Sequence, residues 1–195
     1  MARPRKFTEP DAIAAARRQF NQTGYHGTSV EDLSRATGLS KGSLYGAFGD
    51  KEALFQRVLD EYCAGAESST AALLDGPDDE ALDRVRAWLW SPEDNDQLGC
   101  LLAKATAELA WESDAVASRS LATFETLLGT CRQVVEQAQR AGRLDPDADS
   151  AALGGLILTT HRGIEALAKA GVDAQTRNRI ATAAIDSIEL SRSTP

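Results

Sequence analysis

The chain has little of what metal or redox chemistry needs. Its two histidines, His26 and His161, stand 135 positions apart and suggest no metal site. Three cysteines, Cys63, Cys100 and Cys131, are odd in number and widely spaced, which suits neither a disulfide framework nor a CxxC metal knuckle. They are expected to be reduced thiols. No stretch reaches the roughly 18 uninterrupted apolar residues of a membrane span, and Met1-Ala2-Arg3-Pro4-Arg5-Lys6 leads into polar residues rather than an apolar signal core, so a cytoplasmic protein is expected. There is no glycine-rich phosphate cradle and no nucleophile placed with a base, so neither an enzyme nor a cofactor is expected. No alternating β-type run, internal repeat or low-complexity tract is present, and the class read from periodicity is all-α.

What is present is enough for folded domains: 195 residues, 43% hydrophobic and 26% charged. The net charge of −8 is unevenly placed, since residues 1–51 hold eight Lys/Arg against five acids while the remainder holds 13 against 24. A basic head on an acidic body fits a protein that meets polyanionic DNA through one end.

The head reads as four helices. Thr8-Glu9-Pro10-Asp11 is a helix start, followed by Ile13, Ala16 and Phe20 at helical spacing and closed by Gly24. Thr28-Ser29-Val30-Glu31 fits a capping box for a short second helix with Val30, Leu33 and Thr37 inward, ended by Gly38. Ser40 caps a third helix with Leu44 and Phe48 four apart, and Asp50 caps a fourth carrying Leu54, Phe55, Val58, Leu59 and Tyr62 inward. Five further helical segments are predicted near 79–90, 99–111, 114–141, 147–170 and 174–191, with breaks at Asp75-Gly76-Pro77 and Ser91–Asp96.

Two short helices hinged by Gly38-Leu39-Ser40 and flanked by a helix on each side meet the requirements of a DNA-reading helix-turn-helix. Thr28-Ser29-Val30-Glu31-Asp32-Leu33, Gly38 through Phe48 and Asp50-Lys51-Glu52-Ala53-Leu54-Phe55 closely resemble the TetR family of bacterial transcription regulators. The resemblance covers residues 8–62; beyond it only the helix count matches. It implies an N-terminal helix-turn-helix domain, 1–50, and a helical effector-binding and dimerisation domain, 51–195, joined by a helix over 51–74. Thr28, Lys41, Tyr45 and Lys51 are implied phosphate contacts, and Ser43 is the expected base contact. On a helical wheel Gly42 and Gly46 lie opposite Leu44 and Phe48, so the DNA-facing surface is almost bare and the backbone can approach the groove. Arg3, Arg5 and Lys6 are expected to form an arm along the minor groove or phosphates, or else a solvated tail.

Segment 147–170 carries an apolar stripe, Leu153, Leu156/Ile157, Thr160, Ile164 and Leu167, beside a stripe of small residues, Ala152, Gly155, Thr159, Gly163, Ala166 and Ala170. With Ile180, Ala184 and Ile188 of the last helix, these are the expected faces of a four-helix homodimer bundle resembling the TetR-family dimer, unless they pack within one protomer. Cys100 begins a helix with Lys104 one turn on, and both the helix dipole and the ammonium favour a thiolate there. Gly99-Cys100-Leu101 with Lys104 resembles the branch of the family that senses electrophiles and oxidants; a small apolar filler is the other reading of Cys100. Cys131 falls on the stripe Leu121, Phe124, Leu128, Cys131, Val135 and reads as core, and Trp88, Trp111, Phe124 and His161 are candidates for an apolar effector pocket or for core. The expected function is a repressor that binds a palindromic operator as a dimer and is released by an inducer or by change at Cys100. A helical protein-binding scaffold is the rival reading.

Overall fold

A computed structural model describes residues 8–90 and 100–190. Among them the order is α1 (Glu9–Thr23), α2 (Val30–Thr37), α3 (Lys41–Phe48), α4 (Lys51–Ala71), two single 3-10 turns, α5 (Ala81–Leu89), α6 (Leu101–Leu109), α7 (Asp114–Arg140), α8 (Ser150–Lys169) and α9 (Ala174–Leu190), with no strand. The expected all-α class stands. Arg3, Arg5, Lys6 and Gly99 lie outside the described residues.

Contacts divide the chain into two compact units, 1–64 with 101–120, and 65–100 with 121–195. The expected boundary after residue 50 does not coincide with this division. Helix α6 and the first turns of α7 pack with the reading head instead, because α6 side chains bind the end of α1.

In the first unit, local signals set the helices. Thr8 caps α1 by accepting from the Asp11 amide, and Gly24 at φ 78° ends it by donating to the Phe20 carbonyl. The box at α2 is shifted one residue from the sequence reading: Ser29 is the cap and Asp32, not Glu31, closes the box onto the Ser29 amide. Thr28 is diverted because its hydroxyl donates back to the Gly24 carbonyl at 2.6 Å. Gly38 takes the left-handed conformation that ends α2, Ser40 caps α3, and Asp50 accepts the Ala53 amide at the start of α4. Phe20, Leu33, Leu54, Phe55 and Leu59 are fully buried and give the small unit its core, each apolar side chain stabilising by about 1.5–3 kcal/mol.

In the second unit, α8 lies along α9 and α5 packs on both. Gly154 is the point of closest approach: a Cβ there would sit 2.6 Å from the Arg132 amide nitrogen of α7. On α7 the stripe read in the sequence is buried at Cys131, as expected for core, and at Val135, but not at its N-terminal end. Thr123, Leu127, Thr130, Cys131 and Val134 are buried, whereas Leu121 and Leu128 are exposed. Guanidiniums tie the edges, with Arg84 donating to the Leu73 and Pro77 carbonyls and to Gln137, and Arg143 reaching Glu189 at 3.0 Å.

Candidate nucleic-acid interface and sensor

The surface of α3 follows from its burial. Leu44 and Phe48 are buried, while Lys41, Gly42, Ser43, Tyr45, Gly46 and Ala47 are all exposed, Tyr45 at 48%. No atom lies within 4 Å of a Cβ built on Gly46, and at Gly42 only the Ser40 hydroxyl reaches that distance. The exposed face is therefore short backbone with small side chains, a shape that lets a helix lie close in a groove. Ser43 contacts the Ser40 hydroxyl at 2.9 Å, and its amide is taken by that same cap.

The expected phosphate contacts fall in different settings. Lys41 pairs with Glu31 on the open surface, and this carboxylate holds the lysine above its usual range. Lys51 lies with its ammonium 4.1 Å above the Tyr25 ring, where burial pulls it below the usual lysine range and the charge of Glu108 pulls the other way. Thr28 is 1% exposed, and both its hydroxyl and its amide donate inside the head, to Gly24 and Tyr25. Its oxygen lies 2.7 Å from the Thr23 hydroxyl as well.

The turn that carries Tyr25 is held by residues sequence reasoning assigned elsewhere or passed over. Lys104 donates to the Asn21 and Gln22 carbonyls at 2.7 and 3.4 Å. Glu108 accepts the Tyr25 and His26 amides at 3.0 and 2.7 Å. His26 is exposed and meets Glu112 at 3.1 Å. These contacts join segments more than 80 residues apart, so no local pattern announces them.

Among the sensor candidates, Cys100 is half-buried and Cys63 and Cys131 are buried. Arg162 Nη1 lies 3.1 Å from Cys100 Sγ and also donates to Glu165 at 2.7 Å. Trp88 stacks on His161, and His161 Nδ1 lies 3.6 Å from Glu165. The structure thus brings Cys100, Trp88 and His161 into one neighbourhood through Arg162 and Glu165, neither of which was a sequence candidate. Trp111 is 96% exposed and Phe124 is half-buried. Burial pushes the Cys131 thiol up to about 11. Among the described residues no group of histidine, cysteine and carboxylate side chains could hold a metal ion, and no helix is long and apolar enough to cross a membrane.

On the expected dimer face, Leu156, Thr159, Gly163 and Ile180 are exposed and Leu153, Gly155, Leu167 and Ala184 are partly so. Ile188 differs. At 1% exposure it belongs with Ala181 and Ile185 to the stripe of α9 buried inside the protomer.

A capped helix-turn-helix with a nearly bare third helix, joined in one chain to a second helical unit, defines a DNA-binding transcription regulator and not an enzyme. Known proteins agree. The description "Bacterial regulatory proteins, tetR family" matches residues 12–58, and "Tetracyclin repressor-like, C-terminal domain" matches residues 81–184. The chain belongs to the TetR family. It is 41% identical over 85 residues to the transcriptional repressor BdcR of Escherichia coli, a match covering 43% of each chain. It is 26% identical over 185 residues to the repressor ComR of the same organism, covering 92% of this chain and 88% of that one. The regulator CifR, solved as a cysteine mutant with 26-base-pair double-strand operator DNA, superposes with a TM-score of 0.81 at 26% identity, covering 96% of this chain and all of CifR.

Proposed function

We propose that this protein is a cytoplasmic transcriptional repressor that grips a palindromic operator as a homodimer and lets go when its second unit is altered by an effector. The observation that carries the reading is the exposed, side-chain-poor face of α3, with Lys41 and Tyr45 beside Gly42 and Gly46. Lys41, Tyr45, Lys51 and the helix N-termini would bond phosphates, with Arg3, Arg5 and Lys6 as an added arm, and Ser43 would reach a base edge. Thr28 would contribute by shaping the turn, since it is buried and both its protons are spent inside the head. A homodimer is required because two copies of α3 must meet successive major grooves about 34–36 Å apart, and Leu156, Thr159 and Gly163 of α8 and Ile180 of α9 stand exposed on the protomer.

Two effectors are carried forward for the second unit: an electrophile or oxidant acting at Cys100, or a small apolar inducer near the stacked Trp88 and His161. The Arg162 contact favours the first, because it fixes the Cys100 sulfur, the nucleophile toward either reagent, 3.1 Å from a guanidinium in a half-buried setting. Selection of binding sites from random duplexes tests the reading directly. A palindromic site whose retention falls steeply with salt supports it; failure to hold any duplex at low ionic strength overturns it. Replacement Cys100→Ser separates the effectors, since release by oxidant that survives this change removes the thiol mechanism.

A further inference from the structure

We infer that Glu108, on α6 and outside the helix-turn-helix, is a positioning residue for DNA binding: its carboxylate fixes the α1–α2 turn on which Lys51 and Thr28 are seated. This rests on the DNA-binding reading above. The two Glu108 oxygens accept two consecutive amides, from Tyr25 and His26, while Lys104 one turn earlier on the same helix caps the Asn21 and Gln22 carbonyls. Opposite charges thus grip opposite sides of one turn, an anion on its amides and a cation on the negative end of α1.

The grip leaves no slack. Gly24 stands at φ 78°, and a Cβ on it would lie 2.7 Å from Glu108 Oε2. Tyr25, whose amide is held, supports the Lys51 ammonium with its ring, and the neighbouring Gly24 carbonyl anchors the buried Thr28 hydroxyl that shapes the turn. The Glu108 charge acts on that ammonium as well. Lys51 is therefore aimed by a surface whose backbone Glu108 pins.

The test uses a duplex that the full-length wild-type protein selects from a random pool. Glu108→Ala is expected to weaken binding about tenfold, the order expected for losing charge-assisted hydrogen bonds, and Glu108→Gln, which can still accept, to fall between. Amide exchange at Tyr25 and His26 should speed up in both variants while α2 and α3 keep their protection. Because Glu108 acts through Lys51, its replacement in a Lys51→Ala background should cost clearly less than it does alone. A merely structural residue would give independent, multiplicative losses and would overturn the role, as would unchanged binding by Glu108→Ala. If Glu108→Ala does not fold, Glu108→Gln decides: wild-type affinity with faster exchange at Tyr25 or His26 overturns the role. A wild-type protein that retains no duplex would instead sink the parent reading, an outcome seen before any variant is made.

Discussion

The imidazole of His161 lies flat on the indole of Trp88, with 3.7 Å between ring centroids and 8° between planes. Burial, aided by the Arg162 charge, lowers His161 from its ordinary 6.5 to about 3. Between those values the unfolded chain binds a proton that the folded chain refuses, so stability is full above about pH 6.5 and falls as pH drops toward 3. Urea unfolding followed at a series of pH values should therefore show a steeper acid loss in wild type than in His161→Phe, which keeps a ring over Trp88. Equal slopes would acquit His161.

Glycine in α3 separates stability from DNA contact. With open space around Gly46, Gly46→Ala should stabilise the helix by about 1 kcal/mol. The same methyl would stand between backbone and base edges, so operator affinity should drop while the melting temperature rises. Thermal melts beside binding isotherms give both signs, and a rise in both would place α3 farther from the duplex than proposed.

Thiol chemistry should discriminate among the cysteines. Cys63 and Cys131 are buried, and Cys131 stays protonated at neutral pH because its thiol is pushed up to about 11. Brief exposure of the native protein to N-ethylmaleimide at pH 7, read by peptide mass spectrometry, should label Cys100 far ahead of the other two. Unfolding in urea should erase the difference.

The outward face of α8 yields a test of assembly. Leu156 is 45% exposed in the protomer, an apolar surface that a second copy would cover. Leu156→Glu should shift the sedimentation mass from two chains toward one and weaken operator binding, with helicity unchanged. Ile188→Glu should instead unfold the second unit, because its side chain lies inside the protomer.

How much of this was legible in the sequence depends on the reach of each signal. Caps and periodicity act over three or four residues, so Thr8, Gly24, Gly38, Ser40 and Asp50 were readable one by one. The α2 cap was missed by one position because Thr28, a good capping residue, bonds the Gly24 carbonyl behind it instead. Periodicity gives a helix its apolar residues but not the angle at which neighbours press on it, so Leu121 and Leu128 of α7 fell on one stripe with Cys131 and yet stand exposed. Lys104 was read beside Cys100, its neighbour in sequence; its ammonium caps a carbonyl 83 residues away. Arg162 and Glu165 carried no motif at all and became visible only when α8 was set beside Cys100.

Gly154 also governs which face α8 shows to the outside. Backbone meets backbone there, so the rotation of α8 about its own axis is locked from behind, and with it the register of Gly155, Leu156, Thr159 and Gly163. Alanine at that hidden seam would press a methyl onto the α7 backbone, so a change at a position no solvent reaches would be felt along the whole outer side of the helix.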